Sequence, residues 1–505
     1  MDVDVSLGRW FASRSALSPI RRALTFEGAT WSYRELQHRI DCLATHLQLG
    51  GVGHGDRVGF LGLNQPAFFE ALFATSRLGA IFVPLNFRLT GPELTFIIND
   101  AGIHTLIADA PHRGVIDSIR GDVGVHRFLT EEAGDGWEPL HPGTQPLVGA
   151  EPLDAEEVAL IMYTSGTTGQ PKGAMLTHAN LWWNNTNAMH QMDIVEDDVT
   201  LVVAPLFHIG GLNVTTLVTW QRGGEVVLHR SFDPTKCIED IPRYGVTTMF
   251  GVPAMFLFLS QLPSFNDADL TTLRMLVCGG APVPEPLIKL YNGRGIPINQ
   301  GYGLTETAPM VSFLSPEWAL AKVGSAGRPG LFNDVRLADE DNRPVTEPRV
   351  HGEVCTRGPN VMKGYWQLPD ATAAAIDAEG WFHTGDVGYL DEEGFLYIAD
   401  RVKDMVITGG ENVYPAEVEG VLHECPGVAD VAVIGLPDER WGERVVAVVV
   451  PDAGANVTLE GIRTFAGERL ARYKLPTQVE TIEVLPRNPA GKILKFELRD
   501  RFSSG

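Results

Sequence analysis

The sequence predicts an α/β fold: a large multi-lobed N-terminal domain of α/β subdomains, followed by a small α+β domain. Three observations carry this. Strand and helix patterns alternate through the first hundred residues, which is how parallel strands joined by helical crossovers read. The core pattern resumes at residue 158 and runs to about 397. Beyond residue 400 about a hundred residues form a compact set, enough for a small domain. At roughly 100–200 residues per domain, 505 residues should hold about two to four units.

The elements follow in order. Ser32-Tyr33-Arg34-Glu35 has the form of a capping box, and Leu36, Ile40, Leu43 and Leu47 follow at helical spacing up to Gly50-Gly51. A strand is predicted over residues 58–61, a helix over 66–78 and a strand over 80–85. Thr90 and Pro92 open another helix, and 103–108 reads as a strand. Residues 109–152 are rich in Gly, Asp, Glu and Pro with little periodicity, which predicts a surface excursion. Residues 158–162 are an apolar run that reads as a buried strand. Past a boundary near 400–403, helices are predicted around 416–423 and 459–470, with strands at 428–434, 445–450 and 478–484.

Composition narrows the function. Forty Lys+Arg against 63 Asp+Glu give a formal net charge of -23, which disfavours nucleic acid and charge-driven docking on anionic membranes. Hydrophobic residues at 44% and charged residues at 20% supply an ordinary core. Cys42, Cys237, Cys278, Cys355 and Cys425 are odd in number and lack CxxC spacing, so neither a disulfide framework nor a zinc site is indicated. The start Met1-Asp2-Val3-Asp4 is acidic, unlike a secretory signal, and no apolar run approaches 18 residues. A cytoplasmic protein without an integral membrane segment is expected. A peripheral membrane contact and a homodimer are both compatible with this.

The most informative stretch is Tyr163-Thr164-Ser165-Gly166-Thr167-Thr168-Gly169-Gln170-Pro171-Lys172-Gly173. Glycines let backbone N–H groups turn inward, hydroxyls add donors, and Lys172 adds positive charge, a set suited to polyphosphate. Its spacing is not that of a GxxxxGK[ST] loop. Four further motifs follow: Asn299-Gln300-Gly301-Tyr302-Gly303-Leu304-Thr305-Glu306-Thr307, Trp381-Phe382-His383-Thr384-Gly385-Asp386, Asp400-Arg401-Val402-Lys403-Asp404 with Gly409-Gly410-Glu411-Asn412, and Pro486-Arg487-Asn488-Pro489-Ala490-Gly491-Lys492. In this order they resemble the adenylate-forming superfamily over nearly the whole chain, most closely bacterial fatty-acyl-CoA synthetases of the FadD group.

That resemblance implies an ATP-dependent acid–CoA ligase with ATP, Mg2+ and the co-substrate CoA as small-molecule partners. A carboxylate resists nucleophilic attack. Making it an acyl-AMP, with release of pyrophosphate, supplies a leaving group that a thiol can displace. By resemblance, Thr164, Ser165, Gly166, Thr167, Thr168, Gly169 and Lys172 hold phosphates, and Glu306 holds magnesium. Thr305 meets the α-phosphate. Tyr302 lies against adenine, Gly279, Gly280, Ala281 and Pro282 line the other side of that ring, and Gln300, Gly301 and Gly303 belong to the ATP site. Asp386 and Arg401 take the ribose. Lys492 bridges the carboxylate and α-phosphate as a protonated point charge.

The resemblance divides the chain into domains 1–400 and 401–505, the second mobile, with a hinge at 401–403 and Lys403 as pivot. The active site then forms between domains. After adenylation the Gly409-Gly410-Glu411 loop replaces the Lys492 loop and opens a path for pantetheine. Arg472 and Lys474 are candidates for the CoA 3′-phosphate. His208, counted with the catalytic groups, is a gate or wall residue rather than a base. Trp182, Trp183, Leu212, Phe250, Val252, Met310 and Val311 are candidates for the acyl pocket. No basic residue in these segments would pair with a second carboxylate.

A medium- to long-chain fatty acid is the leading substrate. An aryl acid of cinnamate or benzoate type, transfer to a carrier-protein thiol, and luciferase-type oxidation are alternatives. A non-catalytic nucleotide-binding scaffold is the alternative of another class.

Overall fold

The computed structural model describes residues 4–143, 145–147, 149, 152–164, 171–281, 283–401, 404–408, 411–438, 441–487 and 493–503, with only the backbone at 400, 401, 411 and 412. Ser165, Gly166, Thr167, Thr168, Gly169, Pro282, Lys403, Gly409, Gly410 and Lys492 lie outside the described residues. The chain packs as two units, Met1–Val335 with Thr356–Phe382, and Arg336–Cys355 with His383–Gly505. The fold is mixed α/β with a large N-terminal and a small C-terminal part, as the sequence predicts.

Among the described residues, the first unit holds two large sheets. One runs in the order Arg328–Pro329, Met310–Phe313, Ile298–Gly303, Met275–Cys278, Thr248–Gly251, Val199–Val202, Glu225–Leu228, Arg22–Phe26, Ala29–Ser32. Its interior strands are parallel and its margins antiparallel. The other runs Gly364–Tyr365, Lys172–Thr177, Val158–Thr164, Ile81–Leu85, Arg57–Leu61, Ile103–Ala108, Arg127–Thr130, Glu138–Pro139. Ile81–Leu85 is buried at every position, as expected of a parallel strand covered on both faces.

Local chemistry sets the helix starts. Ser32 Oγ accepts from Glu35 N, and Glu35 Oε2 accepts from Ser32 N at 2.8 Å, completing the predicted box before helix Tyr33–Leu49. The helix Gly91–Ala101 begins with a second such box, between Thr90 and Glu93. The core of this unit is aromatic: Phe11, Phe69 and Phe73 surround Trp220, whose indole N–H donates to Ala23 O at 2.7 Å. Each such ring pair adds ~1 kcal/mol beyond the area it buries.

One expectation is corrected. The stretch expected as a surface excursion contains helix Arg113–Ile119, and its strand Arg127–Thr130 extends the sheet in parallel with Ile103–Ala108. Trp137, buried, anchors the far end through Asp117.

The second unit has a five-stranded sheet, most of whose residues fall within it: Pro344–Val345, Asp334–Ala338, Gly352–Arg357, Phe382–Leu390, Leu396–Arg401. A second sheet pairs Val428–Asp438 with Gly442–Pro451, flanked by Val406–Thr408, Glu411–Val413 and Gln478–Thr481. Helices Pro415–Leu422 and Leu459–Gly467 contribute to its core. Arg499 is bound to Asp404, tying helix Lys495–Phe502 to the segment after residue 403. No helix among the described residues is long and apolar enough to cross a membrane.

Candidate active site

The strands on either side of the predicted phosphate loop form a hairpin pair: Val158–Thr164 and Lys172–Thr177 are antiparallel, with Thr164 opposite Lys172. The hairpin base is braced. Tyr163 Oη donates to Asp100 Oδ2 at 2.5 Å, and Trp366 donates its indole N–H to Asp100 O and its backbone N–H to Gly173 O. Burial, then the Asp100 charge, pushes the Tyr163 phenol above its ordinary range, so it remains a donor.

Helix His178–Met192 follows directly. Thr177 caps it through Asn180, whose side-chain amide donates to Pro359 O and Val361 O. The cap thereby fastens residues 359–361 beside the hairpin. From there the chain reaches the turn that carries Glu306. Asn360 Nδ2 donates to Thr307 O and Met310 O, and Met362 N donates to Glu306 O at 2.8 Å.

Glu306 is buried, at 9% exposure, in the short helix Thr305–Thr307. Tyr365 Oη donates to its Oε1 at 2.9 Å, and Lys172 Nζ lies 5.1 Å from the centre of the same ring. The structure thus brings together the predicted Lys172 and Glu306 through a residue that the motifs did not flag.

Close backbone approach shapes the predicted adenine side. A Cβ on Gly303 would fall 1.7 Å from Pro309 O, and one on Gly279 would fall 2.9 Å from Gly301 O. Gly280 and Ala281 are exposed, Tyr302 and Thr305 are half-buried, and Gln300 is buried. Gln300 Nε2 has no hydrogen-bond partner among the described residues. A buried amide of this kind is costly unless a ligand or water meets it. These residues fit a nucleotide with magnesium: a flat approach, an orphaned donor, and one buried carboxylate where magnesium would use mainly phosphate oxygens.

The His208 loop is fixed by Asn64, which accepts from Leu206 N and donates to Ala204 O and His229 O. His208 packs on Phe207, which meets Phe87 edge-on. Burial, then the nearby Arg88 charge, lowers His208 to about 4, so it is neutral at pH 7. Arg88 is a basic group beside this loop, in a segment that sequence motifs did not single out. Phe250 lies against Gly210 and Gly279, and Val252 lies near Gly280. Met310 is buried in a cluster that Phe250 packs against. Leu212 belongs to the large core cluster and Trp182, partly buried, packs against it; Val311 is fully buried, and Trp183 meets Phe332.

In the second unit, Asp386 is buried, and its strand pairs it with Arg401. The turn before it is held by Glu353, whose Oε2 is 2.7 Å from His383 Nδ1 and whose Oε1 accepts from Gly385 N at 3.0 Å. Cys355 Sγ lies 3.5 Å from the same His383 nitrogen. Arg472 is exposed, and Lys474 is bound to Glu417 at 2.6 Å. Arg487 and Ile493 form an antiparallel bridge, and Leu494 N donates to Pro486 O.

Residues 11–366 match the family model for AMP-binding enzymes, and residues 417–492 match that for the AMP-binding enzyme C-terminal domain. The chain belongs to the AMP-binding enzyme family. It is 45% identical over 498 residues to a feruloyl-CoA synthase of an Amycolatopsis species, covering 98% of this chain and 99% of that protein. It is 40% identical over 505 residues to the long-chain-fatty-acid–CoA ligase FadD13 of Mycobacterium tuberculosis, covering 99% of each. Its fold matches the o-succinylbenzoate–CoA synthetase of Bacillus subtilis bound to ATP and magnesium, with a TM-score of 0.89, 34% identity, and 97% and 99% of the two chains covered. The resemblance to adenylate-forming enzymes is thereby established, and the chain is an AMP-forming, ATP-dependent acid–CoA ligase of that family.

Proposed function

We propose that this ligase activates an apolar aryl carboxylic acid of hydroxycinnamate type as the acyl-adenylate and passes the acyl group to CoA. The observation that carries this is the Phe250 ring set against Gly210 of the loop that bears the neutral His208, a flat-sided apolar face for the acid. The 45% identity to feruloyl-CoA synthase supports it. The fatty-acid reading, which the sequence alone ranked first, retains support from the 40% identity to FadD13.

The chain's residues divide the work. Thr164, Ser165, Thr167, Thr168 and Lys172 hold the β- and γ-phosphates. Glu306 would hold magnesium, which supplies neutralising charge on the phosphates when bound. Thr305 meets the α-phosphate, Tyr302 and Gly279-Gly280-Ala281-Pro282 take adenine, and Asp386 and Arg401 take the ribose hydroxyls. Lys492 stabilises the charge that develops as the carboxylate attacks phosphorus. His208 and Phe250 exclude water from the acid. Lys403 is the pivot of the hinge at 401–403, separating domains 1–400 and 401–505, and Gly409-Gly410-Glu411 admit pantetheine. Arg472 meets the CoA 3′-phosphate, and Lys474 does so on leaving Glu417.

The test is AMP release over a panel of ferulate, cinnamate, benzoate, octanoate and palmitate, with and without CoA. Highest kcat/KM with the hydroxycinnamate, dependent on CoA, is expected. Preference for palmitate would select the fatty-acid reading. Adenylate formation indifferent to CoA would select a carrier-protein acceptor, and no AMP with any acid would favour a scaffold.

A further inference from the structure

We propose that Tyr365 is a positioning residue for the nucleotide–magnesium end of the site: its phenol orients the Glu306 carboxylate and its ring orients the Lys172 ammonium. The inference rests on reading this site as the ATP site of the ligase. Two groups on separate segments meet at one ring. The phenol donates to Glu306 Oε1 at 2.9 Å, and Lys172 Nζ stands 5.1 Å from the ring centre. A phenol donating to a carboxylate is a charge-assisted bond, and a cation over a ring is held by its quadrupole.

The backbone leaves Tyr365 little freedom. Gly364–Tyr365 pairs antiparallel with Lys172–Thr177, placing Tyr365 opposite Ala174. Tyr365 N donates to Thr372 Oγ1 at 2.9 Å. Trp366 N bonds Gly173 O, and Met362 N bonds Glu306 O. The short strand is therefore tied at one end to the base of the phosphate hairpin and at the other to the Glu306 turn. Gly364 has φ +145, and a Cβ there would lie 2.6 Å from the Thr372 methyl, so the close approach needs glycine.

A lysine and a glutamate set side by side would neutralise one another and meet phosphate and metal less well. At Tyr365 each instead meets a directional contact, the carboxylate with the phenol and the ammonium with the ring.

Tyr365→Phe separates the two contacts: it removes the O–H and keeps the ring. Binding of α,β-methylene-ATP to the full chain, measured by titration calorimetry across a magnesium series, reads them apart. For Tyr365→Phe we expect wild-type affinity without magnesium. The magnesium concentration that gives half-maximal tightening should rise about tenfold, as when a partner behind a metal ligand is lost. Tyr365→Leu should also weaken metal-free binding several-fold, because Lys172 loses the ring. A Tyr365→Phe enzyme with the wild-type magnesium dependence overturns the proposal alone. Wild-type protein that binds no nucleotide at any magnesium level overturns the ATP-site reading together with it. Should Tyr365→Phe fail to fold, 3-fluorotyrosine at this position gives a fluorine resonance that should move when magnesium joins the nucleotide, and a static resonance overturns the proposal.

Discussion

The Glu353 carboxylate and the His383 imidazole meet at 2.7 Å, three residues ahead of Asp386, while the other carboxylate oxygen accepts the Gly385 N–H. Both bonds fix the turn that presents Asp386. Replacing Glu353 with Ala should therefore raise KM for ATP about tenfold, the loss of ~1.4 kcal/mol of positioning, with kcat changed much less. Steady-state kinetics at varied ATP check this; an equal fall in kcat at unchanged KM would count against it.

His208 makes a pH prediction. Its pKa is lowered to about 4 by burial and by Arg88, so it stays neutral throughout the working range and transfers no proton. The pH profile of adenylate formation should have the same shape between pH 5.5 and 8 in wild type and in His208→Gln. An inflection near 6.5 present only in the wild type would show that His208 titrates in the reaction.

Gly303 has no room for a side chain. Its Cβ would lie 1.7 Å from a backbone oxygen, Pro309 O, which also accepts from Leu304 N. Gly303→Ala must open that turn, at a cost of about 3 kcal/mol. Differential scanning fluorimetry should show a Tm lower by several degrees, together with weakened ATP binding. Unchanged Tm and affinity would mean that the turn relaxes freely.

His178 should make the fold acid-sensitive. It is 1% exposed, its Nδ1 accepts from Leu7 N, and burial lowers it to about 4 against an unfolded value near 6.5. Between those values the unfolded chain binds the extra proton, so stability is full above about 6.5 and falls as pH drops toward 4, by up to roughly 3 kcal/mol. Urea midpoints measured between pH 7 and 4.5 should fall, and His178→Asn should flatten the slope.

Legibility followed the range of the interactions. The Ser32–Glu35 box spans three residues and was visible in the sequence, as was the strand–loop–Lys172 arrangement. Strand Arg127–Thr130 was not, because it is short, half-buried at Arg127 and Phe128 and flanked by polar residues, and its pairing with Ile103–Ala108 is long-range. Tyr365 meets Glu306 across 59 residues, and a lone Gly-Tyr-Trp gives no periodic signal. The one available hint was a glycine directly before two aromatics and a Pro-Asp helix start. Arg88 was missed for a related reason: the motif that carries His208 lies 120 residues further on, and long-range contacts such as Phe87–Phe207 join them.

The most direct test of the central claim is acid-dependent exchange of labelled pyrophosphate into ATP in the absence of CoA. An enzyme that forms an acyl-adenylate must run this exchange, with ferulate the best acid of the panel, and Lys492→Ala must abolish it while thiolation of supplied acyl-adenylate persists. Absence of exchange with every acid, or release of ADP and phosphate instead of AMP and pyrophosphate, would contradict the account.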